Sequence, residues 1–188
     1  MKVILASASL RRQELLKRII KDFEIKISDF DEKSINFNGD VNNYVKELAL
    51  GKGKAISKQV SKENIIISAD TVVFFNGSIL GKPKDKEDAF KMLSNLSGNT
   101  HEVYSGVCII NNETGEILCE SFKTEVTFSE VESDIITEYI NSGSPLDKAG
   151  AYGIQDKGGL FVEKINGCYY NVVGLPLNGT YKMLKKLM

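Results

Sequence analysis

The sequence predicts an α/β fold built on a mixed sheet, and three observations carry that expectation. Strand-like and helix-like segments alternate through the first part of the chain, the pattern of βαβ units with parallel pairing. From His101 to Phe128 two strand-like runs flank the turn signal Asn111-Asn112-Glu113-Thr114-Gly115, which predicts an antiparallel hairpin. The 188 residues, 42% hydrophobic and 26% charged, are enough for one domain with a full core. A single domain over 1–188 is expected, with the central hairpin at about 99–130 projecting as a sublobe.

Lys2 to Ala6 reads as a short buried strand. Leu10, Leu15, Leu16, Ile19 and Ile20 fall near helical spacing and predict a helix over about 10–21. Glu24 to Ser28 alternates as a second strand, and the polar stretch 29–40 with Asn38-Gly39 is a loop. Tyr44, Val45, Leu48, Ala49, Ala55, Ile56 and Val60 mark a long second helix. Ile65 to Phe75 is the most strand-like segment, and Asn76-Gly77 turns it into Ile79-Leu80. Ala89, Phe90, Leu93 and Leu96 place one face of a helix over Lys86–Leu96. Another helix carries Ile135, Ile136, Tyr139 and Ile140 and stops before Gly143 and Pro145. Leu160–Val162, Cys168–Val172 and a final helix ending at Leu187 complete the chain.

The formal net charge is −1, from 24 basic and 25 acidic residues. With a pI near 6.0, such a chain has no broad attraction for nucleic acid or anionic lipid. Any anionic ligand has to be held by a local basic cluster. No apolar run approaches the ~20 residues of a membrane span, and no secretory leader is evident before Arg11-Arg12-Gln13-Glu14. Cys108, Cys119 and Cys168 lack CxxC spacing and read as reduced, partly buried thiols of a cytoplasmic protein. His101, the single histidine, reads as a solvated loop residue.

Four segments carry chemistry. Ser7-Ala8-Ser9-Leu10-Arg11-Arg12 lies between the first strand and the first helix. A helix start offers unpaired N–H groups and partial positive charge, so this turn suits a phosphate chain; the plain alternative is a Ser9 cap with solvated arginines. Ser68-Ala69-Asp70-Thr71 interrupts the apolar run Ile65–Phe75. A carboxylate there is costly unless compensated by a metal, by a water it activates, or by a structural lysine. Period-two geometry puts Ser68 and Asp70 on one face and Thr71 on the other. In Gly81-Lys82-Pro83-Lys84-Asp85, Pro83 stiffens the loop and Lys82 is a candidate for a phosphate, weak alone because solvated lysines are common; Lys52, on the second helix, is weak for the same reason. Finally, Pro145-Leu146-Asp147-Lys148-Ala149-Gly150-Ala151-Tyr152-Gly153-Ile154-Gln155 combines charge, small residues and an amide. Such a loop lets backbone approach a ligand closely, or is simply a glycine-rich connection.

Taken together and in this order, Ser7-x-Ser9-x-Arg11-Arg12, Asp31-Glu32, Leu48-Ala49-x-x-Lys52, Ala69-Asp70-Thr71-Val72-Val73, Gly81-Lys82-Pro83 and Asp147 to Gln155 resemble the Maf-like nucleotide pyrophosphatase family over about residues 3–185. The resemblance implies a mixed, strongly bent sheet flanked by helices, inosine triphosphate pyrophosphatase-like, with a central substrate cleft. It implies hydrolysis of a nucleoside triphosphate to monophosphate and pyrophosphate, with dTTP and UTP as substrates for the branch carrying Gly-Ile-Gln. Asp70 matches the catalytic acid/base. Arg12, Thr71 and Gln155 match specificity positions. Ser7, Ser9, Arg11, Arg12, Lys52, Lys82 and Lys148 are expected around phosphates. Glu32, Asp70 and Asp147 are expected to hold Mg²⁺ or Mn²⁺, since an oxygen-rich site without His or Cys favours a hard cation. The resemblance also suggests a homodimer. Its rival implication, from a family name tied to septum formation, is a nucleotide-binding regulator of cell division with little catalysis. Leu10, Gly53 and Ser105 depart from the family's usual proline, alanine and threonine; none removes a charged group.

Overall fold

A computed structural model describes residues 1–187. The described residues form one mixed sheet and six α-helices, joined by short 3-10 turns. Strand β1 (Lys2–Leu5) pairs in parallel with β2 (Glu24–Ile25) and with β3 (Asn64–Phe75). The apolar run Ile65-Ile66-Ile67 is wholly buried, as a central strand requires. At Asn76-Gly77 the backbone takes φ 48° and 78°, which an Asn-Gly pair tolerates. It returns as β4 (Ser78–Leu80), antiparallel to β3. The long strands β5 (Thr100–Asn111) and β6 (Ile117–Phe128) follow, then β7 (Val162–Asn166), antiparallel to β6. The strand order is β2-β1-β3-β5-β6-β7, with β4 on β3. The expected mixed sheet is therefore present.

The chain folds as two compact units. The first comprises Met1–Asp70, Ser105–Phe122 and the stretch from Gly174 onward. It holds α1 (Leu10–Lys17), α2 (Val41–Ser57) and α6 (Leu177–Leu187). Its core packs Ile4, Ala6, Ala49, Ile56, Ile66, Cys108 and Ile110. Gly106 lets strand and helix backbones meet here: a side chain at 106 would overlap the Val45 carbonyl of α2 and lie 2.8 Å from the Lys46 nitrogen. Across the β5–β6 hairpin Cys108 and Cys119 are joined as a disulfide, their Cα atoms 4.2 Å apart. The expectation of reduced thiols is corrected for this pair. CxxC spacing is a local signal, whereas here the hairpin turning at 111–116 sets two positions 11 residues apart side by side.

The second unit comprises Thr71–Tyr104 and Lys123–Val173. It holds α3 (Lys86–Leu96), α4 (Ser133–Asn141) and α5 (Tyr169–Val173). Helix α3 matches its predicted bounds, with Asp85 as its cap accepting from Asp88 N at 2.7 Å. The core includes Val73, Ala89, Leu93, Leu96, Phe128, Ile136, Tyr139 and Phe161.

His101 is not a solvated loop residue. It lies on β5, 1% exposed, with its ring edge-on to Phe128 and Tyr152 and its Nε2 2.8 Å from Tyr152 Oη. Strand pairing carried it inward, where the single-residue reading had nothing to bury it against. Burial lowers its pKa from 6.5 to about 4. The unfolded chain therefore binds a proton that the folded one refuses between these values. Stability is full above pH ~6.5 and falls as the pH drops toward 4. Urea unfolding should show the wild type losing ~2 kcal/mol relative to His101→Gln between pH 7 and pH 5. Parallel curves would show that His101 does not titrate in this way.

Several elements are shorter or different from expectation; helix α2, expected to reach Val60, ends at Ser57. Helix α1 ends at Lys17, with Arg18 as its C-cap and Ile19 and Ile20 in the following turn. The second strand keeps only Glu24–Ile25, because β1 ends at Leu5 and offers no further backbone to pair with; Ile27 is 70% exposed. The stretch beginning at Leu160 is a 3-10 turn (Lys157–Phe161) that leads into β7.

Candidate active site

In the first unit, the turn after β1 is tied to itself. Ser9 caps α1, accepting from Arg12 N at 3.4 Å, and donates its own N–H to Ser7 Oγ at 3.2 Å. The Arg12 side chain folds back over this turn. Its Nη1 donates to Ser7 Oγ at 3.5 Å and its Nε to the Gly174 carbonyl at 2.9 Å. Burial lowers the pKa of this guanidinium; Asp70 and Glu32 oppose that, while Arg11 adds to it. Arg12 therefore feels both carboxylates, and Arg11 stands beside it at the same helix start.

Asp70 closes the first unit's share of β3 and is 8% exposed. Its Oδ1 lies 2.5 Å from Lys52 Nζ, and Lys52 also contacts Glu32 Oε1 at 2.9 Å. One ammonium thus sits between two carboxylates. Ser68, two residues before Asp70, donates to the Ala49 carbonyl of α2 at 2.6 Å. Ser68 and Asp70 both face α2, as the period-two pattern predicts. The lysine that the structural reading of Asp70 required is Lys52 itself. Spacing along the chain shows no link between them: they are 18 positions apart and meet only when α2 lies against β3.

Glu32 reaches Lys52 from an exposed loop through two local devices. Asp31 accepts from Lys33 N at 3.0 Å and starts the 3-10 turn Glu32–Ser34. Phe30 packs its ring over Gly51, where any side chain would overlap it. Tyr44, on α2, has its pKa raised by burial and by the charges of Asp70 and Glu32. It therefore belongs to the surroundings of this cluster. The sequence reading used Tyr44 only as a helix marker; its place one turn before Leu48-Ala49 was the available signal.

The second unit begins at Thr71 and brings two motif loops together. Gly150 N donates to the Gly81 carbonyl at 3.0 Å, which docks the Gly81-Lys82-Pro83 loop on the Asp147–Gln155 segment. Pro83 is buried and Lys82 is exposed. Gly150 has φ 67°, and a side chain there would meet Val73 at 2.8 Å. Lys148 Nζ contacts Asp147 Oδ1 at 2.7 Å, Asp156 Oδ2 at 3.4 Å and the Ser144 carbonyl. Asp156 also accepts from Ser144 Oγ at 2.6 Å, Tyr139 Oη at 2.8 Å and Gly158 N at 2.8 Å. Burial pulls the Asp156 pKa up, but these donors and Lys148 outweigh it and leave it lowered. Gln155 is exposed. Asp156, Tyr139 and Ser144 did not figure among the sequence candidates, although an acid directly after Gln155 amid Gly153, Gly158 and Gly159 was a signal.

The described residues contain no group of three or more His, Cys, Asp or Glu side chains able to hold a metal together. No helix among them is long and apolar enough to cross a membrane.

Comparison with known proteins adds the lineage. A family model described as "Maf-like protein" matches residues 2–187. A protein named dTTP/UTP pyrophosphatase from Clostridium perfringens (strain SM101 / Type A) is 58% identical over 185 residues, 98% of this chain and 96% of its own. One of the same name from Clostridium beijerinckii is 58% identical over 187 residues, 100% of both chains. Among solved structures, a HAM1 protein from Coxiella burnetii aligns over 99% of both chains at 13% identity, with a TM-score of 0.53. That likeness speaks to the fold alone. A sequence match of this length and identity leaves one conclusion: this chain belongs to the Maf-like protein family.

Proposed function

We propose that this protein is a nucleoside triphosphate pyrophosphatase acting on dTTP and UTP, with Asp70 as its catalytic acid/base. The observation that carries the reading is the Asp70–Lys52–Glu32 arrangement, a nearly buried carboxylate kept beside a cation. The relatives described above, named dTTP/UTP pyrophosphatase, support the reaction and the substrates.

Asp70 Oδ takes a proton from a water whose oxygen attacks the α-phosphorus in line. The bond from the α-phosphorus to the α–β bridging oxygen breaks, and pyrophosphate departs with that oxygen. Lys52, 2.5 Å from its Oδ1, holds Asp70 in place before attack. Arg11, Arg12, the capped start of α1 with Ser7 and Ser9, and Lys82 and Lys148 meet phosphate charge. Thr71 and Arg12 contribute to substrate choice. Gln155 reads the base: its carbonyl accepts from N3–H of uracil or thymine and its amide donates to O4. A mismatched, buried edge costs ~1–3 kcal/mol per group, roughly a ten- to hundredfold preference.

Mg²⁺ or Mn²⁺ fits the donor set. Asp70 and Glu32 already converge on one cationic centre at 2.5 and 2.9 Å, and a hard divalent ion is commonly held by one or two carboxylates plus phosphate oxygens. The family resemblance alone proposes Asp147 as a further ligand. The ion would neutralise phosphate charge and stabilise the leaving pyrophosphate.

The test is a panel of UTP, dTTP, CTP and purine triphosphates with Mg²⁺ or Mn²⁺, assayed for pyrophosphate. UTP and dTTP should release it fastest, and excess chelator should abolish the release. Full activity in chelator would remove the metal from the mechanism. Stepwise orthophosphate would mean a phosphatase, and tight dTTP binding without turnover would mean a regulator of cell division.

A further inference from the structure

The segment Gly153-Ile154-Gln155-Asp156 is a tight turn, closed by Asp156 N donating to the Gly153 carbonyl at 3.3 Å. Gln155 stands exposed at its third position. Such a turn, on a chain with three glycines nearby, has little stiffness of its own. A side chain that must present one amide edge to a base needs its backbone held, because discrimination depends on which way the amide is locked.

What holds it is built around one carboxylate. Tyr139 Oη, from α4, donates to Asp156 Oδ1 at 2.8 Å and accepts from Gly153 N at 3.1 Å. It thereby clasps both ends of the turn. Gly158 N binds the same Oδ1 at 2.8 Å. Ser144 Oγ binds the other oxygen at 2.6 Å, where Lys148 adds its charge at 3.4 Å. Packing leaves no slack. A side chain at Gly153 would meet Asp156 Oδ2 and Lys148 Cε, each at 2.7 Å; one at Gly158 would meet the Gly153 carbonyl and Tyr139 Oη, each at 2.8 Å; one at Gly159 would meet the Ile154 carbonyl at 2.6 Å. The glycines permit the chain to wrap this closely about the acid, and the acid supplies the order they lack.

We infer that Asp156, clasped by Tyr139, is the positioning residue that fixes the Gln155 turn and so sets the selectivity for the pyrimidine edge. The inference rests on the proposed reading of Gln155 as the base-contacting residue. Asp156 itself touches no substrate in this assignment; it acts through the turn.

Asp156→Asn is the informative variant. It preserves the side chain's shape, but turns a donor-bearing amide toward Ser144 and Lys148, both of which already donate. Tyr139→Phe, which removes the clasp while leaving the acid, is the milder second variant should the first fold poorly. Pyrophosphate release from UTP and CTP gives kcat and KM, and hydrogen exchange reads the amides of 153–158. Both variants should speed that exchange. Asp156→Asn should raise KM for UTP by ~10-fold while changing kcat less than ~3-fold, the signature of lost binding rather than lost chemistry. Its UTP-over-CTP preference should fall to that of Gln155→Ala, and the double variant should fall no further. Unchanged exchange at 153–158 in both variants overturns the inference, because the turn then holds without this network. Faster exchange with the wild-type preference intact, while Gln155→Ala loses it, overturns the selectivity claim. A Gln155→Ala enzyme with full preference instead refutes the reading of Gln155 and the selectivity claim with it; the exchange data then judge the positioning of the turn by themselves.

Discussion

Asp70→Asn is expected to lower the rate of pyrophosphate release by at least ~10²-fold, the usual loss on removing one catalytic acid or base. The amide keeps the volume and can still accept from Lys52, but it cannot take a proton from water at neutral pH. Folding should survive. Leaving a buried charge uncompensated costs ~3–5 kcal/mol, yet Lys52 keeps Glu32 at 2.9 Å as a partner, and Glu32's side chain is 57% exposed. The variant should therefore melt close to the wild type while turning over poorly. The measurement is kcat for UTP at saturating metal, with a thermal melt as control. Near-wild-type kcat would make Asp70 a structural partner of Lys52 and nothing more. Loss of both activity and folded structure would leave the catalytic role to be decided with Asp70→Glu, which keeps the charge and moves it by about one methylene.

Gly106→Ala should be the most damaging single methyl in the first unit. Its Cβ would coincide with the Val45 carbonyl region of α2, and backbone cannot rotate aside as a side-chain tip can. Overpacking usually costs ~1–3 kcal/mol; a clash with helix backbone belongs at or above the top of that range. A melting point lower by ~6–12 °C follows for a chain of this size. Because α2 also carries Lys52, any accommodation that pushes the helix off β5 moves the ammonium from Asp70, so kcat should fall in the fraction that still folds. Differential scanning calorimetry with activity measured well below the transition checks both parts. A variant within ~1 kcal/mol of the wild type would show that strand and helix do not approach as closely as described.

The fold was legible wherever a local pattern has one meaning. Asn76-Gly77 read as a hairpin turn because two adjacent residues that tolerate positive φ suit that turn. Lys86–Leu96 read correctly to the residue because its apolar face, its acidic first turn and its Asp85 cap agree. Glu24–Ser28 failed in its second half because alternation promises a strand only where a neighbour has backbone to share, and β1 ends at Leu5. His101 failed for a related reason. A lone histidine carries no local sign of the aromatic rings that enclose it, which come from Phe128 and Tyr152.

The candidate site divides along the same line. That Asp70 needed a compensating partner could be read from the strand alone, since an acid set inside Ile65–Phe75 is costly unless something answers its charge. Which group answers it could not. Lys52 and Glu32 come from a helix and a distant loop, and Phe30 seats that loop by filling the space above Gly51. Asp156 escaped notice because its importance lies in the donors around it, from Tyr139, Ser144 and Gly158, and in no motif of its own. The disulfide of Cys108 and Cys119 likewise depends on the hairpin's register. By itself the sequence determined which residue types stand in which local elements, because propensity and periodicity act over a few neighbours. Only the tertiary structure decided which charges and donors meet, because those partners lie far apart along the chain and are brought within a few ångströms by packing helix on sheet.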